Sequence, residues 1–228
     1  AVKYANDVID RASRFFPFAT REQVNGQATS GSANTSAEDR IFSSEILFGN
    51  YHSKRTTDIF DKIFSYKLEA KNVLKMSDYG ISQLYEDDGD LRKCQWQTQR
   101  DTEGNVGQFF VKYGDVTDNG FEFARLLPMI RMSEMYLIKA ECTKDYKALN
   151  PIRKARNIPQ LKSNIGLNGY IEDEYVREFI GEGQLFWYYK RKGITSIPRL
   201  YNPSLQDMQI TNSTYVFDLP DSEQQLRK

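Results

Sequence analysis

Arg177-Glu-Phe-Ile-Gly-Glu-Gly-Gln-Leu-Phe-Trp-Tyr-Tyr-Lys-Arg-Lys-Gly193 joins two carboxylates, an aromatic run and a basic stop in one helix-like segment. Tyr175, Phe179, Glu182, Phe186 and Tyr189 recur at intervals of three or four and so share a face, which predicts a helix over Glu174 to Lys190. Lys190, Arg191 and Lys192 suit the negative end of a helix dipole, and Gly193 supplies the cap. Glu182 precedes Gly183, a glycine that predicts close approach of a neighbouring backbone. The segment matches no catalytic motif.

Working outward, Arg125-Leu-Leu-Pro-Met-Ile-Arg131-Met-Ser-Glu134-Met-Tyr-Leu-Ile-Lys-Ala140-Glu141 turns helical after Pro128, and a tight turn at Thr143 to Asp145 leads into a second helix through Arg156. The spacing predicts a helical hairpin, Ile130 to Glu141 against Lys147 to Arg156, with Pro151 tolerated if the second helix starts near Asn150. The hairpin is tetratricopeptide-like, although no second copy at a period of about 34 residues is visible. Lys93 to Thr98 and Gln108 to Tyr113 alternate around the turn chemistry of Asp101 to Asn105, which predicts a β-hairpin ended by Asp118-Asn119-Gly120.

Nearer the start, Val2 to Phe16 reads as a helix closed by Pro17, with Ala1, Tyr4, Ala5, Val8, Ile9 and Ala12 on one stripe. Because this pattern is already running at Ala1, the start reads as one made by truncation or processing. Gln23 to Ser36 is a polar loop or linker, and Ser36 with Asp39 has the form of a capping box. Glu45 to Phe48 fits either a short buried strand or the end of a helix. Tyr51 to Tyr66 lacks a clean period and reads as irregular, with one short helix over Thr57 to Phe64.

At 228 residues, 39% hydrophobic and 13% aromatic, the chain has the means for a real core. Its 31 basic and 31 acidic residues cancel, which removes the net field that would gather nucleic acid or hold an anionic membrane. No apolar run approaches the roughly 18 residues a spanning helix needs. Cys94 and Cys142 lie far apart with His52 the lone imidazole, so neither a zinc site nor a disulfide framework is expected, and no cofactor is implied. Asn164 to Gly169 lacks the Lys-Ser/Thr of a phosphate loop.

Arg177 to Gly193 also resembles the last block of the SusD/RagB family, surface glycan-binding lipoproteins of Bacteroidetes-type outer membranes. The Arg131 to Glu141 run is similar to the family's Arg, spaced Glu and Ala-Glu block, and Asn150-Pro-Ile-Arg153-Lys-Ala-Arg156 to its Asn-x-x-Arg-x-x-Arg segment. Asp90-Leu91-Arg92 resembles its Asp-x-Arg, Lys112-Tyr113 the strand that follows, and Phe217-Asp-Leu-Pro220-Asp-Ser-Glu223 its closing signal. The blocks fall in the family's order. Leu185 and Tyr188 stand where many members carry Arg and Asp, and the hairpin loop near Thr143 is shorter than usual. Members are longer and begin with a lipoprotein signal and further tetratricopeptide-like helices, so residues 1–228 resemble a single SusD-like domain, the C-terminal portion.

The resemblance implies a mainly α fold with long irregular loops and no catalysis of its own. It further implies an oligosaccharide or other nutrient as ligand, a SusC-like TonB-dependent transporter as partner, and a place on the outer-membrane surface held by an N-terminal lipid anchor. A helical-repeat scaffold that binds only protein is the alternative.

Among the charged residues, Glu178 and Glu182 one turn apart do not flank a substrate from opposite sides as two hydrolytic carboxylates must. They are expected to make scaffold salt bridges with Arg177 and the later Lys/Arg cluster. Arg131 with Glu134, and Arg153 with Arg156, are expected to tie helices together. Glu86-Asp-Asp-Gly-Asp90 is an acidic turn or a hard-cation ligand set. Sugars present flat C–H faces ringed with hydroxyls and call for exposed rings beside hydrogen-bonding groups. Tyr51, His52, Arg55 and Trp96, in irregular or edge regions, are the candidate glycan contacts, and Trp187 is expected in the core.

Overall fold

A computed structural model describes residues 1–26, 38–85, 87–114, 125–199 and 205–225. The fold is mainly α with small antiparallel sheets. Helix α1, Val2–Ala12, buries Ala5 and Ile9 and ends before Phe15, which is exposed. Helix α2, Arg21–Asn25, is held by a capping box between Thr20 and Gln23 and closed by left-handed Gly26, so the first residues expected in a polar loop are helical. Ser36 lies outside the described residues. Asp39, its expected partner, instead accepts hydrogen bonds from the Ser43 amide and hydroxyl, each 2.8 Å.

Strand β1, Ile46–Tyr51, resolves the open reading of Glu45 to Phe48. The π-helix that follows covers Thr56–Phe64 and buries Phe60 and Phe64, so the short helix expected there is present with a wider turn. Strand β2, Lys75–Met76, and helix α3, Asp78–Leu84, lead into the hairpin of β3, Trp96–Arg100, and β4, Val106–Phe110. Trp96 pairs with Phe110 and Arg100 with Val106, with β2 added on the far side of β4. In the turn, Asp101 accepts the amides of Glu103 and Asn105. Asp118 to Gly120 lie outside the described residues.

Leu126–Arg131 forms strand β5, antiparallel to β1, where a helix was expected from Met129. Pro128 stands opposite Gly49 where the register shifts, a place in a ladder that can do without a donor. The chain turns helical only at α4, Met132–Thr143. Left-handed Lys144 and the Asp145 cap then fold α5, Tyr146–Ala155, back on it as expected. Pro151 sits inside α5, which begins at Tyr146 and not near Asn150. The Asn150 side chain both donates to and accepts from the Leu161 backbone, which pins the following loop.

The helix expected over Glu174 to Lys190 is two: α6, Leu167–Phe179, and α7, Gln184–Lys192. Between them Gly181 and Gly183 take φ of 75° and 90°, which reverse the chain where the apolar spacing alone would continue it. The close approach belongs to Gly181, where a Cβ would stand 2.5 Å from the Phe110 ring; around Gly183 nothing comes within 4 Å. Gly193 caps α7 with φ 65° as expected. Strands β6, Ser196–Ile197, and β7, Met208–Gln209, pair near the end, before helix α8, Asp221–Gln225.

Among the described residues, two large apolar clusters and a smaller one of Ala19, Val24, Phe42 and Leu91 carry the packing. Of the large ones, one gathers Phe60, Phe64, Trp96, Phe110 and Tyr113 around the three-stranded sheet, and the other gathers Leu137, Leu149, Ile152, Ile171 and Phe179 among α4, α5 and α6.

Candidate functional site

The charged blocks singled out in the sequence meet inside the protein. Arg92 binds Asp90 at 2.7 Å, Glu174 at 2.6 Å and Glu178 at 3.1 Å, and Glu174 also takes Arg153 at 2.8 Å. Arg156 bridges Glu178 and Glu45, both at 2.7 Å. Arg131 reaches Glu178 at 2.9 Å and Glu182 at 3.0 Å, and Glu182 takes the Lys112 ammonium as well. Guanidinium faces lie on rings: Arg156 is 4.0 Å from the Phe42 centroid and Arg131 5.2 Å from that of Phe179.

Electrostatics assigns this cluster to the scaffold. Burial alone would raise the Glu178 carboxyl, but Arg156 and Arg131 outweigh it and hold Glu178 well below the usual carboxylate range. Burial likewise opposes the charge on Arg131, and Glu182, Glu178 and Glu45 more than reverse that effect. A carboxylate held ionised with no exposed surface has neither a proton to give nor a substrate to meet. The scaffold role expected of Glu178 and Glu182 is therefore met, with different partners. Arg177 donates to the Leu84 carbonyl, and in the basic cluster Arg191 pairs with Glu141 while Lys190 donates to the Tyr215 carbonyl.

The acidic turn is committed in the same way. Asp90 is engaged by Arg92, Asp88 by Lys93, and Asp87 by the Gly89 amide, while Glu86 lies outside the described residues. Among the described residues no group of three His, Cys, Asp or Glu side chains gathers as metal ligands. Cys94 and Cys142 are free thiols, and burial pushes Cys94 up to about 12.

Of the four candidate contacts the structure keeps two on one surface. Tyr51, at the end of β1, is 56% exposed, and its hydroxyl accepts from Arg125 Nη1 at 3.0 Å. His52 follows it, its amide donating to the Arg125 carbonyl and its Nε2 standing 3.9 Å from Asp58 on the π-helix. Arg55 is a correction: it is buried, donates to the Leu126 carbonyl at 3.0 Å, and lies over the Tyr113 ring, so it braces the π-helix against β5. Trp96 is a second correction. Only 6% exposed, it packs 5.0 Å from Phe110 and donates Nε1–H to the Tyr85 hydroxyl at 3.1 Å. By the two-residue alternation of a strand it shares a face of β3 with Thr98 and Arg100, which are exposed, so it is packing at the start of the strand that buries it.

The π-helix that carries Asp58 toward His52 also borders a cleft of about 340 Å³, lined by Arg40, Asp61, Tyr66, Lys67, Gln97 and Gln99. Amides, a phenol, an ammonium and a carboxylate there offer both donors and acceptors, the chemistry that hydroxyl-rich ligands require. π-Helical turns recur at functional sites.

Trp187 reverses the remaining expectation, being 58% exposed. Its neighbour Tyr188 takes the inward place and stacks on Tyr175 with centroids 4.1 Å apart. Phe186 and Phe217 pack beside Trp187 at 5.1 and 6.2 Å.

A sequence model of the SusD family matches residues 20–226. No curated protein sequence matches the chain. Solved structures are similar to it in fold. A SusD superfamily protein from Bacteroides thetaiotaomicron VPI-5482 aligns with a TM-score of 0.68 and 20% identity, covering 98% of this chain and 54% of that one. A SusD-like carbohydrate binding protein from Bacteroides vulgatus ATCC 8482 gives 0.64 and 15% over 99% and 53%. One from Parabacteroides distasonis ATCC 8503, a SusD superfamily protein, gives 0.62 and 14% over 99% and 54%. The chain thus spans about half the length of the structures it resembles. Among the described residues no helix is long and apolar enough to cross a membrane.

Proposed function

Since the chain belongs to the SusD family, we propose that it is part of a non-catalytic, cell-surface protein that holds an oligosaccharide and passes it to a SusC-like TonB-dependent transporter in the outer membrane. The observation that carries this reading is the family match over residues 20–226. Lipid anchoring to the outer membrane and the transporter partner belong to the same proposal, with residues 1–228 as one domain of the longer protein. The description of the Bacteroides vulgatus structure as carbohydrate binding supports the ligand class.

The binding surface we assign runs along the π-helix, from Tyr51 and His52 to the polar cleft that includes Tyr66, Gln97 and Gln99. Tyr51 offers an exposed ring for a sugar C–H face, with Arg125 orienting its hydroxyl. Tyr51→Ala removes that contact without touching any of the apolar clusters. The variant of the full-length protein is expected to melt normally and to bind its oligosaccharide about tenfold to a hundredfold more weakly. Calorimetric titration against a panel of plant, host and microbial glycans measures this. Unchanged affinity removes Tyr51 from the site, and a full-length protein that binds no glycan at all moves the protein-scaffold reading ahead.

A further inference from the structure

Helices α4 and α7 each contribute a stripe of side chains to a groove of about 530 Å³, within the range of about 300–1,000 Å³ typical of ligand pockets. Glu134, Ile138 and Glu141 come from α4, and Gln184, Trp187 and Arg191 from α7, all at the three- and four-residue spacing that shares a helix face. The stacked rings of Tyr175 and Tyr188 also line it.

Some of its polar groups are committed and others are not. Glu141 takes both terminal nitrogens of Arg191, each at 2.8 Å. None of the described hydrogen bonds or ion pairs uses Glu134, whose carboxyl burial pushes upward. Gln184 donates Nε2–H to the Met129 carbonyl at 3.0 Å, which leaves its amide oxygen buried without a partner. Of the two, Glu134 is partly exposed on the groove and is an acceptor, so an occupant must bring donors.

A cation would bring donors, but cations already stand at these rings. Lys190 Nζ lies 5.7 Å from the Trp187 centroid and the Arg191 guanidinium 5.4 Å from that of Tyr188, and Lys144 lines the groove too. A neutral ring carrying hydroxyls meets the same need without that repulsion and has an apolar face to lay on indole. We infer that the groove between α4 and α7 is a second saccharide subsite, where a sugar ring lies on Trp187 and donates a hydroxyl hydrogen bond to Glu134. This inference rests on the glycan-binding reading and on residues remote in sequence from Tyr51.

The full-length protein tests it, titrated with the same glycan panel by calorimetry and by the fluorescence of Trp187, assigned by difference from Trp187→Phe. For a glycan that binds, Trp187→Ala is expected to lower affinity about tenfold to a hundredfold and Glu134→Gln severalfold, both with normal melting. The Trp187 signal should still respond to that glycan in Tyr51→Ala. A bound glycan whose affinity survives both substitutions and leaves the Trp187 signal unmoved overturns the groove and spares the glycan reading. Binding of no glycan overturns both. A Trp187 response to spermidine alone makes the groove a cation site and overturns the sugar assignment.

Discussion

Glu178→Gln is expected to destabilise the folded protein by about 3–5 kcal/mol, although the change removes almost no volume. The carboxylate has no exposed surface and receives Arg92 at 3.1 Å, Arg156 at 2.7 Å and Arg131 at 2.9 Å. An amide cannot neutralise three guanidinium groups, and its own N–H atoms would face donors where only acceptors are tolerated. For a domain whose whole stability is about 5–15 kcal/mol, such a loss brings unfolding within reach at physiological temperature. Urea denaturation at neutral pH measures the effect.

The same group predicts an acid limb. Its folded pKa is depressed, so the stability it contributes is complete above the unfolded value, about 4.3, and is lost as pH falls through the lower folded value. Glu178→Gln has forfeited that contribution at every pH, and its stability should change less than that of the unaltered protein on acidification from neutral pH. A variant within 1 kcal/mol of the parent, with an equal acid limb, contradicts the picture of an integral buried network.

Trp96→Ala is the second large effect, expected to cost about 3–5 kcal/mol by leaving a cavity against Phe110. It also removes the indole N–H that the buried Tyr85 hydroxyl accepts. Thermal melting should therefore separate the two aromatic substitutions, with Trp96→Ala strongly destabilised and Tyr51→Ala close to the parent. Normal melting of Trp96→Ala with lost glycan affinity would restore Trp96 to the surface role its sequence context suggested.

What the sequence discloses is local. The β-hairpin is legible because alternation flanks a turn of Asp, Gly and Asn, and α4 with α5 because apolar spacing brackets a short turn. Phase is not legible where glycine intervenes. The three- and four-residue spacing runs on through Gly181 and Gly183 and so predicts one helix where there are two, while the apolar neighbours of Trp187 suggest a core place that Tyr188 takes instead. Met129 to Arg131 reads as the start of the α4 helix because its apolar run is continuous with it, and only pairing with β1 makes Leu126–Arg131 a strand.

The ion network is legible as scaffold but not in its connections. Same-helix spacing places Glu174 and Glu178 together, yet the arginine that joins them, Arg92, stands 82 and 86 residues away. Trp96 shows the converse limit, since alternation puts it on one face with Thr98 and Arg100, which are exposed, and only its contacts with Phe110 and Tyr85 bury it.

Central to this account is a division of labour in which the buried charges hold the fold while exposed rings and polar clefts hold the ligand. Glu182→Gln in the full-length protein tests the division directly, because Glu182 joins Lys112 and Arg131 and has no exposed side-chain surface. Melting and calorimetric titration with a bound glycan are to be measured on the same preparation. The account predicts a lowered melting temperature and, at a temperature where the variant is folded, an unchanged affinity; normal melting with lost binding, or with lost turnover of any glycan, would contradict it.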